Sequence, residues 1–225
     1  MMDLNRIDYL GLDRVLKRGS GEILEERDDV LLIRDTISGA YMLACENTSV
    51  GISLLDRFSG KDCDLLMISD GTLGTEAFEK YGFSDKLLCY QVAYYGEMPS
   101  VDNGLTVRAA EEQDLPVIIE HYHMIGPEEL KTVVRRGNLF LGFSESRLVG
   151  FIGEHLEGSM GMLYIFPEYR QKGYGTALQT HLIAKTLEKG FVPFGQVEKN
   201  NQTSLNLQKK VGMTQSDHLI MWMWK

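Results

Sequence analysis

Between Leu139 and Lys225 the apolar positions change period several times. "NLFLGFS" and "RLVGFIGEHL" read as two strands joined by a polar turn at Glu145 and Ser146, and "EGS" turns the chain into a third strand, "MGMLYIF". From about Tyr174 to Glu188 the spacing becomes helical, with Ala177, Leu178, His181, Leu182, Lys185 and Thr186 along its rows. "FVPFGQV" is a buried-looking strand, "NQTSLNLQKKVG" a helix that Gly212 ends, and "DHLIMWMW" a final strand. Upstream, "LTVRAA" is β-prone. "EEQDLPVIIEHYHMI" has acidic residues ahead of helically spaced apolar ones. "GPEELKTVVRRGN" is a second helix, with Pro127 in its first turn and Gly137 beyond its end. The predicted order is β-α-α-β-β-β-α-β-α-β, a mixed α/β layer fold that is antiparallel in its middle.

The first hundred residues repeat part of this pattern. Shifted by 130 residues, "TEAFEKYGFSDKLLCYQVAYY" falls on the last helix, turn and strand, with Lys80 and Gly82 on Lys210 and Gly212. Shifted by 109, "VLLIRDTISGAYMLAC" overlays the hairpin "LFLGFSESRLVGFIGE". The smaller shift leaves the first copy about 21 residues shorter between the two blocks, so it lacks the glycine turn described below and part of its helix. In that stretch "RFSGKD", Arg57 to Asp62, comes nearest to a basic glycine turn, but it has one glycine and acidic neighbours. A single such turn predicts one anionic cofactor per chain.

Charge also divides the chain. Residues 1–100 hold 18 Asp and Glu against 10 Lys and Arg, and residues 101–225 hold 14 against 13. The change falls in the loop "GEMPSVDNGLT", which places the domain boundary near residue 100. The acidic first half is expected to wall the substrate cleft and attract a cation. A net charge of −9 argues against a nucleic-acid partner. No apolar run approaches the ~20 residues of a bilayer span, and the start has no basic stretch followed by an apolar one. Cys45, Cys63 and Cys89 have no CxxC spacing and read as reduced thiols, so a cytoplasmic protein without a metal site is expected, as a monomer or homodimer.

"PEYRQKGYGTAL", Pro167 to Leu178, carries the most chemistry. A helix N-terminus offers about four unpaired N–H groups and roughly half a positive charge, enough to hold a phosphate by main chain alone. Gly173 and Gly175 let the backbone approach, and Arg170 and Lys172 add charge. The spacing is too short for a Walker loop, lacks GK[ST], and is not GxGxxG. A solvated basic loop before an ordinary helix has the same composition.

Following a strand and opening a helix, Pro167 to Gly175 resembles the acyl-CoA pyrophosphate loop of the GNAT superfamily of N-acyltransferases. Downstream, "VEKNNQTSLNLQKKVGM" is similar to that family's second signature through Asn201, Ser204, Lys210, Gly212 and Met213. "MGMLYIFPEYRQKGYG" is most similar to the glycine N-acyltransferase branch. The resemblance spans about residues 105–225. It implies a GNAT-type mixed, largely antiparallel sheet flanked by helices, with residues 101–225 as the acetyl-CoA-binding catalytic domain and residues 1–100 as a degenerate GNAT-like half. Pantetheine would lie in a gap between "MGMLYIF" and "FVPFGQV", paired with main chain at Tyr164 and Ile165. The pyrophosphate would rest on Arg170, Gln171, Lys172, Gly173, Tyr174, Gly175 and Thr176. Asn201, with Ser204, would hold the pantetheine arm; a plain helix cap is the other role open to Asn201.

Acyl transfer to an amine needs a base, an oxyanion donor and a proton for the leaving thiolate. No cysteine lies beyond Cys89, so direct transfer between bound substrates is expected. The branch's early-strand glutamate position is Ser159 here, which leaves Glu154, Glu157, Glu198 and His155 as candidate bases. The position of the family's proton-donating tyrosine is Gln208, which cannot give up a proton, so Tyr164 or water would replace it. The implied activity is acetyl transfer from acetyl-CoA to a primary amine of a small molecule or amino acid. A non-catalytic acyl-CoA-binding module and a protein N-acetyltransferase stay open.

Overall fold

A computed structural model describes residues 2–58, 63–101 and 104–225. The closest approach to a glycine turn in the first half, at Arg57 to Asp62, falls largely on residues outside those described, as do Asp102 and Asn103 of the boundary loop. The chain is a mixed α/β fold whose sheet is largely antiparallel and flanked by helices. It divides into two compact units. The first comprises residues 1–93, 196–205 and 214–225, and the second residues 94–195 and 206–213.

In the first unit the elements are α1 (Leu10–Lys17), β1 (Gly21–Arg27), β2 (Val30–Asp35), β3 (Tyr41–Cys45), α2 (Thr48–Phe58), β4 (Leu65–Ile68), α3 (Gly71–Tyr81) and β5 (Asp85–Ala93). The second unit contributes β6 (Thr106–Ala109), α4 (Leu115–His121), α5 (Pro127–Arg135), β7 (Leu139–Ser144), β8 (Arg147–Glu154), β9 (Met160–Ile165) and α6 (Tyr174–Glu188). The chain ends with β10 (Phe194–Glu198), α7 (Gln202–Lys210) and β11 (Thr214–Trp224).

The final strand lies between β4 and β5, antiparallel to both, with Met221 opposite Ile68 on one side and Leu88 on the other. It is apolar on both faces because both are covered. Met221 and Met223 join Leu32, Leu43, Leu54 and Leu73 in one buried cluster, whereas Ile220 and Trp222 join Leu12, Ile33 and Met67 in another. β2 alternates in the same way, Val30 and Leu32 into the first cluster, Leu31 and Ile33 into the second.

The two shifts read from the sequence fall differently on the elements. The 130-residue shift sets α3 on α7 and β5 on β11, and Gly82 and Gly212 both follow their helices with left-handed φ of 70° and 83°. The 109-residue shift sets β3 on β8, but the equivalent of β3 is β9. Each precedes a helix and pairs in parallel with the next strand, β3 with β4 and β9 with β10. The misregistration has a simple cause: every antiparallel hairpin alternates alike, so alternation alone cannot tell one from the next.

In the second unit β6, β7, β8 and β9 run antiparallel in sequence, and β10 joins β9 in parallel at Gly195↔Met160. The turn between β7 and β8 holds Glu145 and Ser146 at φ 47° and 65°, the pair of left-handed residues that a tight two-residue hairpin requires. Alternation then assigns the faces. Phe140 meets His181 of α6 and lies opposite Ile152, so Gly150, Ile152 and Glu154 face α6. Phe151 points the other way and stacks on Tyr164, which packs against His121 of α4.

A buried carboxylate pins the β1–β2 end of the first unit. Asp35 is fully buried and accepts from Ser20 Oγ (2.6 Å), Ser38 Oγ (2.6 Å) and Arg18 Nη2 (2.7 Å). Burial pushes its pKa up, but the hydroxyl donors and the Arg18 guanidinium outweigh it and hold the carboxyl below the usual range. Because the folded pKa is depressed, the stabilisation is complete above the unfolded value of ~3.9 and disappears as pH falls through the folded one.

Two stability outcomes follow. Met221→Ala is expected to cost about 2–5 kcal/mol in urea unfolding, since β11 fills the clusters on both faces. Asp35→Ala is expected to cost about 3–5 kcal/mol at pH 7 by stranding Arg18, and the gap from wild type should shrink on acidification below pH 4. An unchanged gap between pH 7 and pH 3 would show that Asp35 carries no ionic stabilisation.

Candidate functional site

β9 ends at Ile165 and α6 begins at Tyr174, leaving eight residues for the connection. Pro167 to Tyr169 form a short 3-10 turn, and Gln171 (φ 61°) and Gly173 (φ 85°) are both left-handed. These two reversals fold the loop back over the start of α6. Gly173 is the N-cap and supplies no side-chain hydrogen bond, so the cap position itself satisfies none of the first-turn amides. Gly175 sits within that turn, where an added Cβ would meet Ile165, Leu163 and Leu207 at 3.7–3.9 Å, ordinary contact. The helix has fifteen residues, long enough for a developed dipole.

The cations gather on the same end. A cleft of about 230 Å³ opens there, lined among others by Lys172, Gly173, Tyr174, Thr176 and Lys210. Arg170 is exposed and donates from Nε to Ile165 O at 3.0 Å, with its guanidinium 5.8 Å from the Tyr164 ring centre. Tyr174 is anchored by a 3.0 Å bond from its hydroxyl to Ser144 Oγ. Arg170 thus ties the loop back to Ile165 and Tyr164. Ser100 and Thr180 also line the cleft; neither belongs to a motif, and no sequence signal marks them.

Asn201 and Ser204 lie at the start of α7. Asn201 Oδ1 accepts the Ser204 backbone N–H at 3.0 Å, so Asn201 caps the helix. Its amide nitrogen is not used in that bond. Glu198 is exposed at the end of β10 and its carbonyl accepts from Asn201 N.

Glu154 has a different occupation. It is buried, accepts from Thr186 Oγ1 at 3.0 Å and pairs with Lys189 Nζ at 3.2 Å. Thr186 lies about 18 Å along α6 from its first residue, at ~1.5 Å per residue. Glu154 therefore fastens β8 to the far end of the helix. Tyr164, half-buried, is held by Phe151, His121 and Phe166. Gln208 is buried, and its Oε1 has no hydrogen-bond partner among the described residues.

The odd-numbered face of β8 leads elsewhere. His155 follows Glu154 and points away from α6, with Nε2 3.5 Å from Tyr122 Oη at the end of α4. The next residues, Leu156 to Ser159, are all buried, and Ser159 Oγ donates to Glu157 Oε1. Tyr122 and Glu129 of α5 were not marked by any motif. Tyr122 reaches His155, and Glu129 lies near enough to feel its charge.

Among its described residues the first unit offers no matching cradle. Only Glu46 and Asn47 separate β3 from α2. Asn47 Oδ1 accepts from the amides of Ser49 (3.0 Å) and Val50 (3.3 Å), so the donors that α6 leaves open are closed in α2 by its own cap. Among the described residues no group of three or more His, Cys, Asp or Glu could hold a metal ion, and no helix is long and apolar enough to cross a membrane.

The second unit thus joins a largely antiparallel sheet to a helix whose N-cap is a glycine. Residues 105–213 match the family model described as Acetyltransferase (GNAT) family. Several solved structures resemble the chain, and three illustrate the likeness. One is a Drosophila protein, 14% identical with a TM-score of 0.65 over 87% of this chain and 73% of its own. Another is a putative acetyltransferase from the GNAT family of Novosphingobium aromaticivorans, 15% identical with a TM-score of 0.59 over 98% of this chain and 96% of its own. The third is a GNAT-family acetyltransferase from Colwellia psychrerythraea, 12% identical with a TM-score of 0.56 over 100% and 98%. At such identities the likeness speaks for the fold. No curated protein sequence matches the chain. The family model, from a family of transferases in which acetyl-CoA-dependent acyl transfer is general, covers 109 of the 225 residues, and the solved structures share the fold of the chain.

Gly150 tests the strand pairing behind the site. A Cβ there would run into Tyr164 O and approach Ile165 Cα to 3.1 Å, both backbone of β9. Gly150→Ala should therefore destabilise by about 1–3 kcal/mol, as overpacking does. Thermal unfolding measures this, and an unchanged Tm would mean that β8 and β9 are not held so close.

Proposed function

We propose that this protein is an acetyl-CoA-dependent N-acetyltransferase that moves an acetyl group directly to a primary amine of a small molecule or amino acid. The observation that carries this reading is the start of α6. Its amides have no side-chain cap, its loop is reversed at Gln171 and Gly173, and Lys172 and Lys210 line the cleft beside it. That arrangement fits a diphosphate, which needs several N–H donors and added positive charge. The amides of residues 171–176 with Arg170 and Lys172 would hold the pyrophosphate. Main chain at Tyr164 and Ile165 would hold the pantetheine arm. Acetyl-CoA would supply an activated acyl group with a thiol leaving group.

Direct transfer is supported by the thiols. Burial pushes Cys63 up to about 11 and Cys89 up to about 12, and also raises Cys45, so none is primed as a thiolate nucleophile. We assign the first unit the role of a worn copy that kept the sheet and binds no coenzyme, because Asn47 occupies its helix start. The glycine N-acyltransferase-like branch rests on the run "MGMLYIFPEYRQKGYG". A second reading, a coenzyme-binding module without turnover, is favoured by Gln208, an amide where the family carries its proton donor.

Calorimetric titration with acetyl-CoA separates these readings from a plain basic loop. Gly173→Asp is expected to weaken binding by at least about 100-fold, since it sets a carboxylate against the diphosphate. Gly173→Ala should instead pay mainly in folding, about 1–2 kcal/mol for its left-handed φ. Equal affinity in wild type and a folded Gly173→Asp would refute coenzyme binding at α6. Coenzyme release with an amine present, followed by thiol titration, distinguishes the enzyme from the binding module.

A further inference from the structure

We propose that His155 is the proton acceptor for the amine, with Tyr122 and Glu129 positioning its ring and charge; this rests on the transfer reaction proposed above. Four observations converge on it. Alternation along β8 turns His155 to the face opposite Glu154, toward α4 and α5. The turn that carries it is buried from Leu156 to Ser159, although turns ordinarily lie in water, and it takes the Glu157 carboxyl inside with it.

Room for the ring is made by β9. Gly161 lies beneath it, and a Cβ there would stand 2.7 Å from His155 Nε2. The next residue, Met162, has φ 54°, and the β8–β9 register slips between Phe151 and Gly153. That is a bulge, a device that re-aims backbone beside functional groups. Tyr122 Oη takes a hydrogen bond from the Met162 backbone and lies 3.5 Å from His155 Nε2. The imidazole is thus tied to the irregular point of the strand that runs on into the cradle.

The groups facing His155 are Tyr122 from the end of α4, Glu129 from α5 and Glu157 from its own turn. Their charges are coupled. Burial raises Glu129, with Glu157 adding to the rise and His155 opposing it. Burial, then Glu157 and Glu129, raise the Tyr122 phenol, which stays protonated. Of these side-chain types, imidazole is the one whose chemistry suits taking a proton near neutral pH. His155 is also half-buried rather than sealed, as a group that exchanges protons must be.

The step balances as follows. The substrate ammonium gives one proton to His155, leaving a neutral amine. The amine nitrogen bonds to the acetyl carbonyl carbon and the carbon–sulfur bond breaks, its electron pair leaving with sulfur. The thiolate takes the second nitrogen proton, and the imidazolium returns the first to solvent. The products are an acetamide, free thiol and one proton.

The full chain is assayed with acetyl-CoA and a panel of glycine, ethanolamine, putrescine and N-α-acetyl-lysine, following thiol release from pH 5.5 to 9. Calorimetry with acetyl-CoA comes first, because absence of binding in wild type defeats the reading of α6 and this inference with it. With binding present, His155→Gln should keep coenzyme affinity within about two-fold, lower kcat/KM by about 10²–10⁴, and abolish the rising limb of the pH profile. Glu129→Gln should leave that limb in place but move it to lower pH, since a neighbouring negative charge no longer favours the imidazolium. This second variant decides the matter if His155→Gln does not fold. A wild-type pH limb in either variant overturns the assignment of His155 while leaving coenzyme binding intact. So does a protein that binds acetyl-CoA but acetylates none of the four amines.

Discussion

The second unit is organised by the period of a β-strand. Once Phe140 is set against α6 and paired with Ile152, every residue of β8 is committed to one face or the other. Glu154 then has to lie under the helix, where a bare carboxylate would be costly, and Thr186 and Lys189 supply the donors that make it tolerable. His155, one position on, is sent to the opposite side. The bulge at Met162 lets β9 absorb an extra residue and still present Leu163 and Ile165 to the start of α6. One-residue parity therefore separates a carboxylate that fastens the fold from an imidazole turned toward Tyr122.

Helix starts are treated in two ways along this chain, and the difference is physical. α2 follows its strand after two residues, and Asn47 satisfies the first amides itself. α6 follows after eight residues, with glycine at the cap and lysines nearby. An N-cap side chain contributes about 1 kcal/mol to a helix. Leaving α6 without one forgoes that stabilisation and keeps its donors open to an anion. The left-handed Gln171, a conformation that costs a non-glycine residue about 1–2 kcal/mol, adds to the cost of the loop.

Much of this was legible in the residues. The helix from Tyr174 to Glu188, the Glu145–Ser146 turn and the strand–loop–helix at Pro167 follow from periodicity and turn chemistry, which act locally. The loop could be read because its glycines and cations are adjacent in sequence. The face of each strand could not, since "RLVGFIGEHL" alternates weakly and both of its faces are covered. Glu154 therefore looked as available as His155. Tyr122 and Glu129 gave no signal at all, because what makes them neighbours of His155 is the packing of α4 and α5 over a turn some thirty residues later.

The last strand limits how far the chain can be treated as two independent pieces. In sequence β11 follows the glycine loop; in the fold it fills the middle of the first unit's sheet, between β4 and β5. Its alternate side chains go to two different clusters, so neither face of that sheet is complete without it. The pairing joins residues more than 120 positions apart, and the entropy of closing so long a loop must be met before those contacts form. The first unit therefore cannot finish folding until the chain is complete, although most of its strands come first. The gain is cooperativity. A final strand apolar on both faces is hazardous when unpaired, and lying centrally removes it from any exposed edge.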